Sequence, residues 1–583
     1  MHSLLSGNEA LALGFYEANG LFASGYPGTP STEILENISK LKNVYSEWAP
    51  NEKVAVESVI GASYAGARSM AIMKQVGVNV ASDPIFTLAY TGCNAGLIIV
   101  TADDVGIHSS QNEQDNRWYS KFSKIPMLEP SNSQECFDFV KMAFELSEAF
   151  KSPIFIRLTT RISHSKSIVS KSYKRDISLT LLPIDFNERF DPIPRISKEL
   201  HRKLEDKIEQ ITNFSENYSI NIVEQSQNTN LCIITSGICY QYVKEVFGNS
   251  YSILKLGMIY PLPVNLIKSF CQRHEKTFVI EELDDFLESQ ISTFGINCIG
   301  KKLTPKLYEL TPDIIKSIIL NNTAYICNDN IPTVQKKDTF CAGCSYRGFF
   351  YVLGKFKNVV ISSDIGCYSL SGGEPFYAKD IAICMGGGFS IAHGIQKIFQ
   401  ISSSTKKCIG VMGDSTFFHS GMTSLLTNVY NNSNSLLVIL DNRSTSMTGL
   451  QENPGTGKTL RNTETTAIDI ESVVKSLGVK YVRCFNPLVL DETYTVLKWG
   501  LSIDEPVVLI AKCLCSLKEK KHHTFTIDKN YCIECQKCVS IQCPALIYNK
   551  QLQTVVLNSS LCNGCTLCKQ LCKYDAIKEI NLE

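Results

Sequence analysis

The sequence predicts an α/β protein with three doubly wound parallel-sheet domains followed by a small C-terminal domain of a different kind. Buried strand-like runs alternate with helical segments, with strands about 30–50 residues apart, which is typical of parallel sheets crossed by helices. Ten of the 23 cysteines lie after position 512, so the end of the chain has a composition of its own. A length of 583 residues accommodates several domains at about 100–200 residues each.

The first α/β domain is predicted at residues 1–165. Its opening segment Gly7–Asn19 has a helical pattern, and Leu21–Tyr26 follows as a short strand. Ser31–Leu41 begins with hydroxyl side chains that favour a helix N-terminus. The apolar run Gly96–Thr101 suits a buried strand of a parallel sheet.

A linker is predicted at residues 166–228, where serine, lysine and aspartate dominate and prolines interrupt the chain. Within it, Ser197–Ile211 has the pattern of a charged, exposed helix. A second α/β domain follows at 229–330, with strand-like runs that include Asn230–Thr235 and Thr277–Glu281.

The third α/β domain is predicted at residues 331–520 and the small cysteine-rich domain at 521–583. Lys407–Met412, Leu436–Asp441 and Val507–Ala511 are the clearest strand-like runs of the third domain. Their spacing allows a helix between successive strands, as a parallel sheet requires.

Charge and hydropathy exclude several classes of partner. Lys+Arg and Asp+Glu both number 57, and a net charge of zero favours neither nucleic acid nor an anionic membrane. The longest apolar runs are too short to span a bilayer, and the first residues lack the basic region of a secretory signal. We therefore expect a cytoplasmic protein, in which clustered cysteines indicate metal or cluster ligands rather than disulfides.

The C-terminal domain contains two copies of one cysteine pattern, a CxxCxxC triplet followed by a fourth cysteine. The pattern resembles the run of bacterial two-cluster ferredoxins, in which the fourth cysteine ligates the other cluster. A ferredoxin-like domain would therefore hold one 4Fe–4S cluster on Cys532, Cys535, Cys538 and Cys572, and a second on Cys562, Cys565, Cys568 and Cys543. Two zinc sites are the alternative, but zinc favours CxxC pairs over triplets.

A second pattern lies in the third domain. Gly413-Asp414-Ser415 follows a strand-like run, and Asn442 follows the next run, with 26 residues between Ser415 and Asn442. This resembles the thiamin diphosphate motif, and a chance Gly-Asp-Ser turn is the alternative. Mg²⁺ takes carboxylate, amide and diphosphate oxygens, so Asp414 and Asn442 are predicted metal ligands, and Gly413 and Ser415 are predicted to contact the cofactor.

The segment Gly449–Thr459, GLQENPGTGKT, resembles a nucleotide-binding P-loop only in its second half. The first glycine of that motif would stand where Glu452 stands, and a carboxylate there would repel phosphate. We therefore predict a loop just past the metal site that closes over the cofactor.

Further motifs, together with those above, resemble the 2-oxoacid:ferredoxin oxidoreductases over essentially the whole chain, and in particular the alpha subunits of the indolepyruvate-oxidising branch. They are Tyr26-Pro-Gly-Thr-Pro-Ser31, Met73-Lys-Gln-Val-Gly-Val-Asn79, Ser109–Arg117, Cys341-Ala-Gly-Cys344, Asp364-Ile-Gly-Cys367-Tyr368 and Met447–Gly457. One departure is that Cys341-Ala-Gly-Cys-Ser-Tyr-Arg347 replaces the more usual Cys-Pro-Gly-Cys-Pro-His-Arg.

The resemblance implies that the first domain binds the aminopyrimidine of thiamin diphosphate, the second is transketolase C-terminal-like, and the third binds the diphosphate. Glu57 would contact the aminopyrimidine and promote deprotonation of the thiazolium, with Glu52 as the neighbouring rival and a solvated helix residue as the alternative. Thr29 would lie near the substrate carboxylate, and Arg117 is a weaker candidate for binding that charge. Ser444 would join the cofactor-binding residues.

The resemblance also implies a third 4Fe–4S cluster near the thiamin. Its ligands would be Cys341, Cys344 and Cys367, with Cys515 fitting the fourth position better than Cys513. Zinc or two unligated thiols are the alternatives for the CxxC pair. A one-electron acceptor beside the thiamin suits an oxidation that releases electrons singly, and the C-terminal clusters would relay them to ferredoxin.

The implied reaction is the oxidative decarboxylation of an arylpyruvate such as indolepyruvate, with coenzyme A as acyl acceptor and ferredoxin as electron acceptor. A separate beta subunit is implied as well, so the active enzyme would be a hetero-oligomer. The alternatives are another 2-oxo acid, non-oxidative decarboxylation to an aldehyde, and an electron-transfer subunit without catalysis of its own.

Overall fold

The structure, a computed structural model, describes residues 2–176, 181–183, 190, 192–321, 339–519 and 523–581. It divides into two compact units, Met1–Pro332 and Thr333–Glu583. The predicted boundaries at 330/331 and 520/521 lie outside the described residues. Within the described ranges, every helix is too short or too polar to cross a bilayer.

The first unit contains one large sheet, one smaller sheet and a two-stranded ribbon. Its strands are β1 (His2–Ser6), β2 (Phe22–Gly25), β3 (Tyr45–Trp48), β4 (Ser69–Lys74), β5 (Leu97–Asp103), β6 (Met127–Leu128), β7 (Ile154–Thr159), β8 (Lys166–Ser170), β9 (Ile222–Glu224), β10 (Leu231–Thr235), β11 (Ser252–Lys255), β12 (Met258–Tyr260), β13 (Lys276–Ile280) and β14 (Cys298–Ile299). Its helices are α1 (Gly7–Glu17), α2 (Thr32–Ile38), α3 (Glu52–Tyr64), α4 (Gln75–Val80), α5 (Ser82–Thr91), α6 (Arg117–Ser123), α7 (Ser133–Phe150), α8 (Thr160–His164), α9 (Pro194–Ser215), α10 (Gly237–Phe247), α11 (Val264–Cys271), α12 (Phe286–Thr293) and α13 (Pro312–Asn321).

The large sheet has the strand order β12-β6-β7-β5-β4-β2-β3 among the described residues. All neighbouring strands are parallel except β12 and β6. The central strand β5 is buried at every residue, as expected for a parallel sheet covered on both faces. β12 belongs to the predicted second domain, yet it adds an antiparallel edge strand to the sheet of the first.

The smaller sheet has the order β14-β13-β10-β11-β9, with β9 as an antiparallel edge strand from the predicted linker. The linker also contains α9, which includes the predicted helix Ser197–Ile211. Leu200, Leu204 and Ile211 are buried, so this charged helix is anchored by one apolar stripe.

The second unit contains a parallel sheet and the small C-terminal domain. Its strands are β15 (Val359–Ser362), β16 (Lys407–Gly413), β17 (Leu436–Asp441), β18 (Tyr481–Phe485), β19 (Val507–Lys512), β20 (His523–Ile527), β21 (Leu546–Asn549), β22 (Thr554–Leu557) and β23 (Ile577–Asn581). Its helices are α14 (Ser345–Leu353), α15 (Gly387–Ile401), α16 (Asp414–Thr416), α17 (Met422–Tyr430), α18 (Ile470–Ser476), α19 (Leu490–Leu501) and α20 (Leu567–Leu571), with short 3₁₀ turns at Cys367–Gly372 and Val539–Ile541 and a π-helical turn at Phe417–Gly421.

The parallel sheet has the order β15-β16-β17-β19-β18 and separates two apolar cores. Along β16, Ile409 and Val411 face one core, whereas Cys408 and Met412 face the other. This alternation is what a sheet covered by helices on both faces requires, and the predicted α/β fold class is confirmed.

The C-terminal domain is built from two antiparallel ribbons, β20 with β23 and β21 with β22. Each cysteine triplet runs into a short helical turn, Val539–Ile541 in the first copy and α20 in the second. Phe525 and Ile577 join a small core to which several of the cysteines also belong.

Candidate active site

The carboxyl ends of β16 and β17 lie next to each other at one edge of the parallel sheet in the second unit. Asp414 directly follows β16 and Asn442 directly follows β17, so the two predicted Mg²⁺ ligands leave the sheet side by side. Gly413 is needed here because a Cβ at this position would lie 2.9 Å from the ring of Tyr368.

The Asp414 carboxylate is buried among hydrogen-bond donors. It accepts from the Ser444 backbone N–H over 3.1 Å and from the Asn453 amide over 3.0 Å. Burial raises the pKa of Asp414 to about 7, and the nearby Asp441 carboxylate adds to the rise. No Lys or Arg of the described ranges pairs with this carboxylate. A bound cation would therefore neutralise its buried charge.

Two polar atoms beside Asp414 are buried without a hydrogen-bond partner in the described part of the chain, Asn442 Oδ1 and Ser444 Oγ. Buried polar atoms of native proteins are nearly always satisfied. An amide oxygen suits Mg²⁺, and a hydroxyl suits a diphosphate oxygen. Ser415 already accepts a hydrogen bond from the Thr445 hydroxyl over 2.8 Å. These residues therefore fit a Mg²⁺–diphosphate group.

The loop Gly449–Thr459 contacts this site through Asn453, the residue that donates to Asp414. Glu452, which stands where a P-loop would have glycine, pairs with Lys518 at 3.3 Å. Asn453 was missed as a site residue, although it lies in one of the shared motifs and precedes a Pro-Gly turn that holds it in place.

The cysteines predicted for the third cluster converge in the second unit, and we call them the Cys341 group: Cys341, Cys344, Cys367 and Cys515. Cys367 interacts electrostatically with Cys515 and Cys341, and Cys344 interacts with Cys367 and Cys341. Burial raises the pKa of the Cys367 thiol to about 11. The sulfur of the rival Cys513 contacts the hydroxyl of Ser345 and also interacts electrostatically with Cys515.

The Cys341 group is connected to the predicted metal ligands through the backbone and through Tyr368. The backbone N–H of Cys515 donates to the Asn442 carbonyl over 3.1 Å. The hydroxyl of Tyr368, the residue after Cys367, lies 2.8 Å from the hydroxyl of Thr416, two residues beyond Asp414.

The eight predicted cysteines of the C-terminal domain line two separate cavities. What we call the Cys572 cavity encloses about 360 Å³ of space, open solvent included, and its cysteines are Cys532, Cys535, Cys538 and Cys572. What we call the Cys543 cavity encloses about 390 Å³, and its cysteines are Cys543, Cys562, Cys565 and Cys568. The thiols are thus brought together in the two crossed sets that the sequence predicts.

The three groups of cysteines follow one another through the second unit. Ala342 and Gly343, between Cys341 and Cys344, also line the Cys543 cavity. Cys568 of that cavity interacts electrostatically with Cys538 of the Cys572 cavity. A path therefore leads from the Cys341 group through the Cys543 cavity to the Cys572 cavity.

In the first unit, Glu57 and Glu52 occupy different environments on α3. The side chain of Glu57 is 47% exposed and pairs with Lys53 of the same helix at 2.6 Å. Glu52 is only 6% exposed, and a Cβ on Gly77 would lie 2.7 Å from its side chain. The structure thus places Glu57 on a solvent-facing surface and buries its rival.

Thr29 lies beside a half-buried lysine that the site predictions did not include. The Ser109 hydroxyl donates to the Thr29 carbonyl over 3.3 Å, and Lys74 Nζ donates to the Ser109 carbonyl over 3.2 Å. Burial lowers the pKa of Lys74, although neighbouring carboxylates oppose the shift. Lys74 stands in one of the shared motifs, and that was the signal that could have identified it.

Arg117 is 1% exposed and its donors are occupied. Its guanidinium donates to Asp115 over 2.6 Å, to the Glu281 carboxylate over 2.7 Å and to the Glu282 carbonyl over 2.8 Å. The expectation that Arg117 binds the substrate carboxylate is not supported, because this arginine joins the segment before α6 to the segment after β13.

Two family models match the chain. Residues 14–229 match the thiamin diphosphate-binding domain of pyruvate flavodoxin/ferredoxin oxidoreductases. Residues 364–511 match the C-terminal binding domain of thiamine pyrophosphate enzymes, and this range includes Asp414 and Asn442.

Relatives match over nearly the whole length. The indolepyruvate oxidoreductase subunit IorA of Archaeoglobus fulgidus is 35% identical over 98% of this chain and 97% of its own length. That of Pyrococcus abyssi is 35% identical over 99% of this chain and 97% of its own. A solved 2-oxoglutarate:ferredoxin oxidoreductase from Magnetococcus marinus aligns with a TM-score of 0.46 at 18% identity, over 55% of this chain and 64% of that one, which is too low to support a conclusion. By its full-length similarity, the chain belongs to the family of indolepyruvate oxidoreductase IorA subunits.

Proposed function

We propose that this chain is the catalytic subunit of an enzyme that oxidatively decarboxylates an arylpyruvate, in particular indolepyruvate. The acyl group passes to coenzyme A, carbon dioxide leaves, and two electrons pass singly to two ferredoxin molecules. The observation that carries this proposal is the convergence, in the second unit, of the residues predicted to hold Mg²⁺ and diphosphate with three groups of four cysteines. The names of the full-length relatives support the choice of substrate.

Asp414 and the Asn442 amide oxygen would hold Mg²⁺, and the Ser444 hydroxyl would donate to a diphosphate oxygen. The unsatisfied atoms Asn442 Oδ1 and Ser444 Oγ support this assignment. Thiamin diphosphate supplies the electron sink for loss of carbon dioxide. Asn453 would orient Asp414, since its amide donates to that carboxylate over 3.0 Å.

We assign the aminopyrimidine contact to Glu52 in place of Glu57. A carboxylate that must hold a proton at a ring nitrogen works best where water is excluded, and Glu52 is the buried one of the pair. The ion pair of Glu57 with Lys53 is a surface pair of neighbouring turns of one helix, which contributes little to stability and suits a solvated position.

The substrate carboxylate would be bound by Lys74 together with Thr29. Lys74 is the cation that shares Ser109 as a neighbour with Thr29, whereas the donors of Arg117 are occupied by carboxylates and carbonyls. The ammonium group of a half-buried lysine can donate a strong, charge-assisted hydrogen bond to a substrate carboxylate.

The cysteines would hold three 4Fe–4S clusters rather than zinc. Zinc–sulfur bonds of about 2.3 Å would bring four thiolates into contact around one ion. In the described ranges, no three His, Cys, Asp or Glu side chains are grouped closely enough to hold a single metal ion. A cubane cluster binds each thiolate to a different iron, so it suits cysteines that surround a cavity.

The partners would be a beta subunit, ferredoxin and coenzyme A. The word "subunit" in the names of the relatives supports a complex of more than one chain. The Cys572 cavity is the end of the cysteine path furthest from Asn442, and it would deliver electrons to ferredoxin.

An anaerobic substrate panel tests the proposal. The chain, reconstituted with iron, sulfide, thiamin diphosphate and Mg²⁺ and combined with its beta subunit, should reduce a viologen dye with arylpyruvates in a coenzyme A-dependent way. A preference for pyruvate or 2-oxoglutarate would reject the aryl substrate. Aldehyde without dye reduction would reject the oxidative reaction. Failure to bind thiamin diphosphate, measured by calorimetry, would leave only an electron-transfer subunit.

A further inference from the structure

Arg347 is a buried cation with no carboxylate partner in the described part of the second unit. It lies in α14 and is 1% exposed. Its guanidinium donates to the backbone carbonyls of Ile541, over 2.8 Å, and Gln542, over 2.7 Å. These carbonyl oxygens accept from a terminal nitrogen of the guanidinium but do not neutralise its charge. Because an uncompensated buried charge is costly, a negative group is expected in the adjoining space.

That adjoining space is the Cys543 cavity, which Arg347 lines together with the four cysteines. Arg347 Nε is buried without a hydrogen-bond partner among the described residues, so one donor remains for a group in the cavity. Another nitrogen of the same guanidinium lies 3.4 Å from the Cys341 carbonyl. Arg347 thus stands between the Cys341 group and the Cys543 cavity.

The Cys572 cavity has the opposite electrostatic environment. None of its described lining residues is a lysine or an arginine. Beside it, the Glu534 carboxylate accepts from the Val555 backbone N–H and from the Thr554 hydroxyl, each over 2.7 Å. Glu534 also directly precedes Cys535, whose side chain lines this cavity. A fixed negative charge therefore lies against one ligand of this cavity.

The internal repeat shows that this asymmetry comes from the side chains. Glu534 precedes Cys535 as Gly564 precedes Cys565, and both have a left-handed backbone, with φ of 55° and 79°. Glycine is favoured in that conformation, and the second copy has it. The first copy has a carboxylate at the same place, although its backbone has the same shape.

We propose that Arg347 raises the reduction potential of a 4Fe–4S cluster in the Cys543 cavity and that Glu534 lowers that of a cluster in the Cys572 cavity. The inference rests on the proposed function, which supplies the clusters and the electrons. Each electron adds one negative charge to a cluster, while no bond breaks and no proton moves. A neighbouring cation stabilises that added charge and a neighbouring anion opposes it, as do hydrogen bonds and charge in other clusters.

The two clusters of the C-terminal domain would therefore differ in potential and in role. The inner cluster draws electrons away from the Cys341 group, and the outer cluster delivers them at the lower potential that a ferredoxin acceptor needs.

The test is a redox titration of the reconstituted full-length chain, followed by electron paramagnetic resonance and visible absorbance, with dithionite as reductant. Arg347→Gln should lower the midpoint potential of one cluster by about 59 mV. For a one-electron couple, this shift raises the ratio of oxidised to reduced cluster about tenfold at the wild-type midpoint. Glu534→Gln should raise a different midpoint. Arg347→Lys keeps the charge and should stay close to wild type. Arg483→Gln, at an exposed arginine stacked on Trp499, is the control.

The inference is overturned if Arg347→Gln holds its full iron and leaves every midpoint unchanged, if both variants move the same midpoint, or if the control shifts equally. If Arg347→Gln does not bind its full iron, the Arg347→Lys variant tests the inference instead. A midpoint potential about 59 mV below wild type in Arg347→Lys would reject the role of charge, because lysine keeps the charge. Dithionite replaces the substrate, so inactivity towards 2-oxo acids would reject the proposed reaction alone. A chain that binds no iron would reject the clusters themselves.

Discussion

The backbone N–H of Cys515 donates to the carbonyl oxygen of Asn442 over 3.1 Å. The residue predicted to complete the third cluster is therefore hydrogen-bonded to the residue predicted to bind Mg²⁺. Cys513 makes the same kind of bond to Asp441, so the segment after β19 continues beside the segment after β17. A cluster on Cys515 and Mg²⁺ on Asn442 would thus share one edge of the sheet.

This relationship distinguishes the two candidate fourth ligands. Cys515→Ser should lose the iron of one cluster and its resonance signal, because its sulfur interacts with Cys367. Cys513→Ser should keep all its iron, because that sulfur faces Ser345. Iron and sulfide analysis of the two purified variants checks this, and the reverse pattern would show that Cys513 is the ligand.

The Mg²⁺ site should depend on the amide oxygen of Asn442. Asn442→Ala should weaken the binding of Mg²⁺–thiamin diphosphate at least tenfold, or about 1.4 kcal/mol, because Oδ1 has no other described partner. Isothermal titration calorimetry measures the change. Asn431→Ala, at an exposed asparagine of the same unit, should bind as wild type does. Equal affinities for all three proteins would remove Asn442 from the site.

Glu52 and Glu57 form a matched pair on one helix. Glu52→Gln should lower kcat by about 10²–10⁴-fold, the usual loss when an acid–base group is removed. Glu57→Gln should change kcat by less than about twofold, since its carboxylate is solvent-facing and only paired with Lys53. Anaerobic dye-reduction assays give both values. If Glu57→Gln loses most of its kcat while Glu52→Gln stays active, Glu57 is the residue that contacts the aminopyrimidine, as the sequence predicted.

Lys74 should determine the affinity for the 2-oxo acid. Lys74→Met should raise KM about tenfold or more, because a hydrogen bond to a charged group contributes about 1.5–3 kcal/mol. Lys53→Met is the control. Lys53 lies on α3 and pairs with the solvent-facing Glu57, so this variant should leave KM unchanged. If Lys74→Met retains the wild-type KM, the substrate carboxylate is bound elsewhere.

The buried acids of the first unit should make its stability depend on pH. Burial raises the pKa of Glu282 to about 7, although the Leu310 N–H donates to it. The unfolded chain has a glutamate pKa of about 4.3, so the folded state binds more protons and stability falls as pH rises from about 4 to about 7. Glu282→Gln removes this loss.

The stability gain of Glu282→Gln should therefore be small at pH 5 and reach on the order of 1–2 kcal/mol at pH 8. Thermal unfolding at a series of pH values measures it as a difference from wild type. Glu275→Gln, at an exposed glutamate of the same unit, should show no such trend. A gain that is independent of pH would assign the effect to packing rather than to ionisation.

The sequence by itself determined the fold class and the grouping of the cysteines. Strands such as Leu436–Asp441 are apolar enough to be buried on both faces, and local pattern is sufficient to identify them. The crossed sets of the Cys543 and Cys572 cavities are those that the resemblance to bacterial two-cluster ferredoxins implies, in which the fourth cysteine of each copy ligates the other cluster.

Only the tertiary structure decided which side of an element faces a site. Glu52 and Glu57 are five residues apart on one helix, and the neighbouring β4–α4 segment, through Gly77, decides which of them is buried. Arg117 and Lys74 both stand in the motifs that resemble the family, and the Glu281 carboxylate, which follows β13, shows that Arg117 is occupied. The burial and the charge partners of a side chain depend on residues that are distant in sequence and meet only in the folded protein. The order of residues along the chain does not show which of them meet.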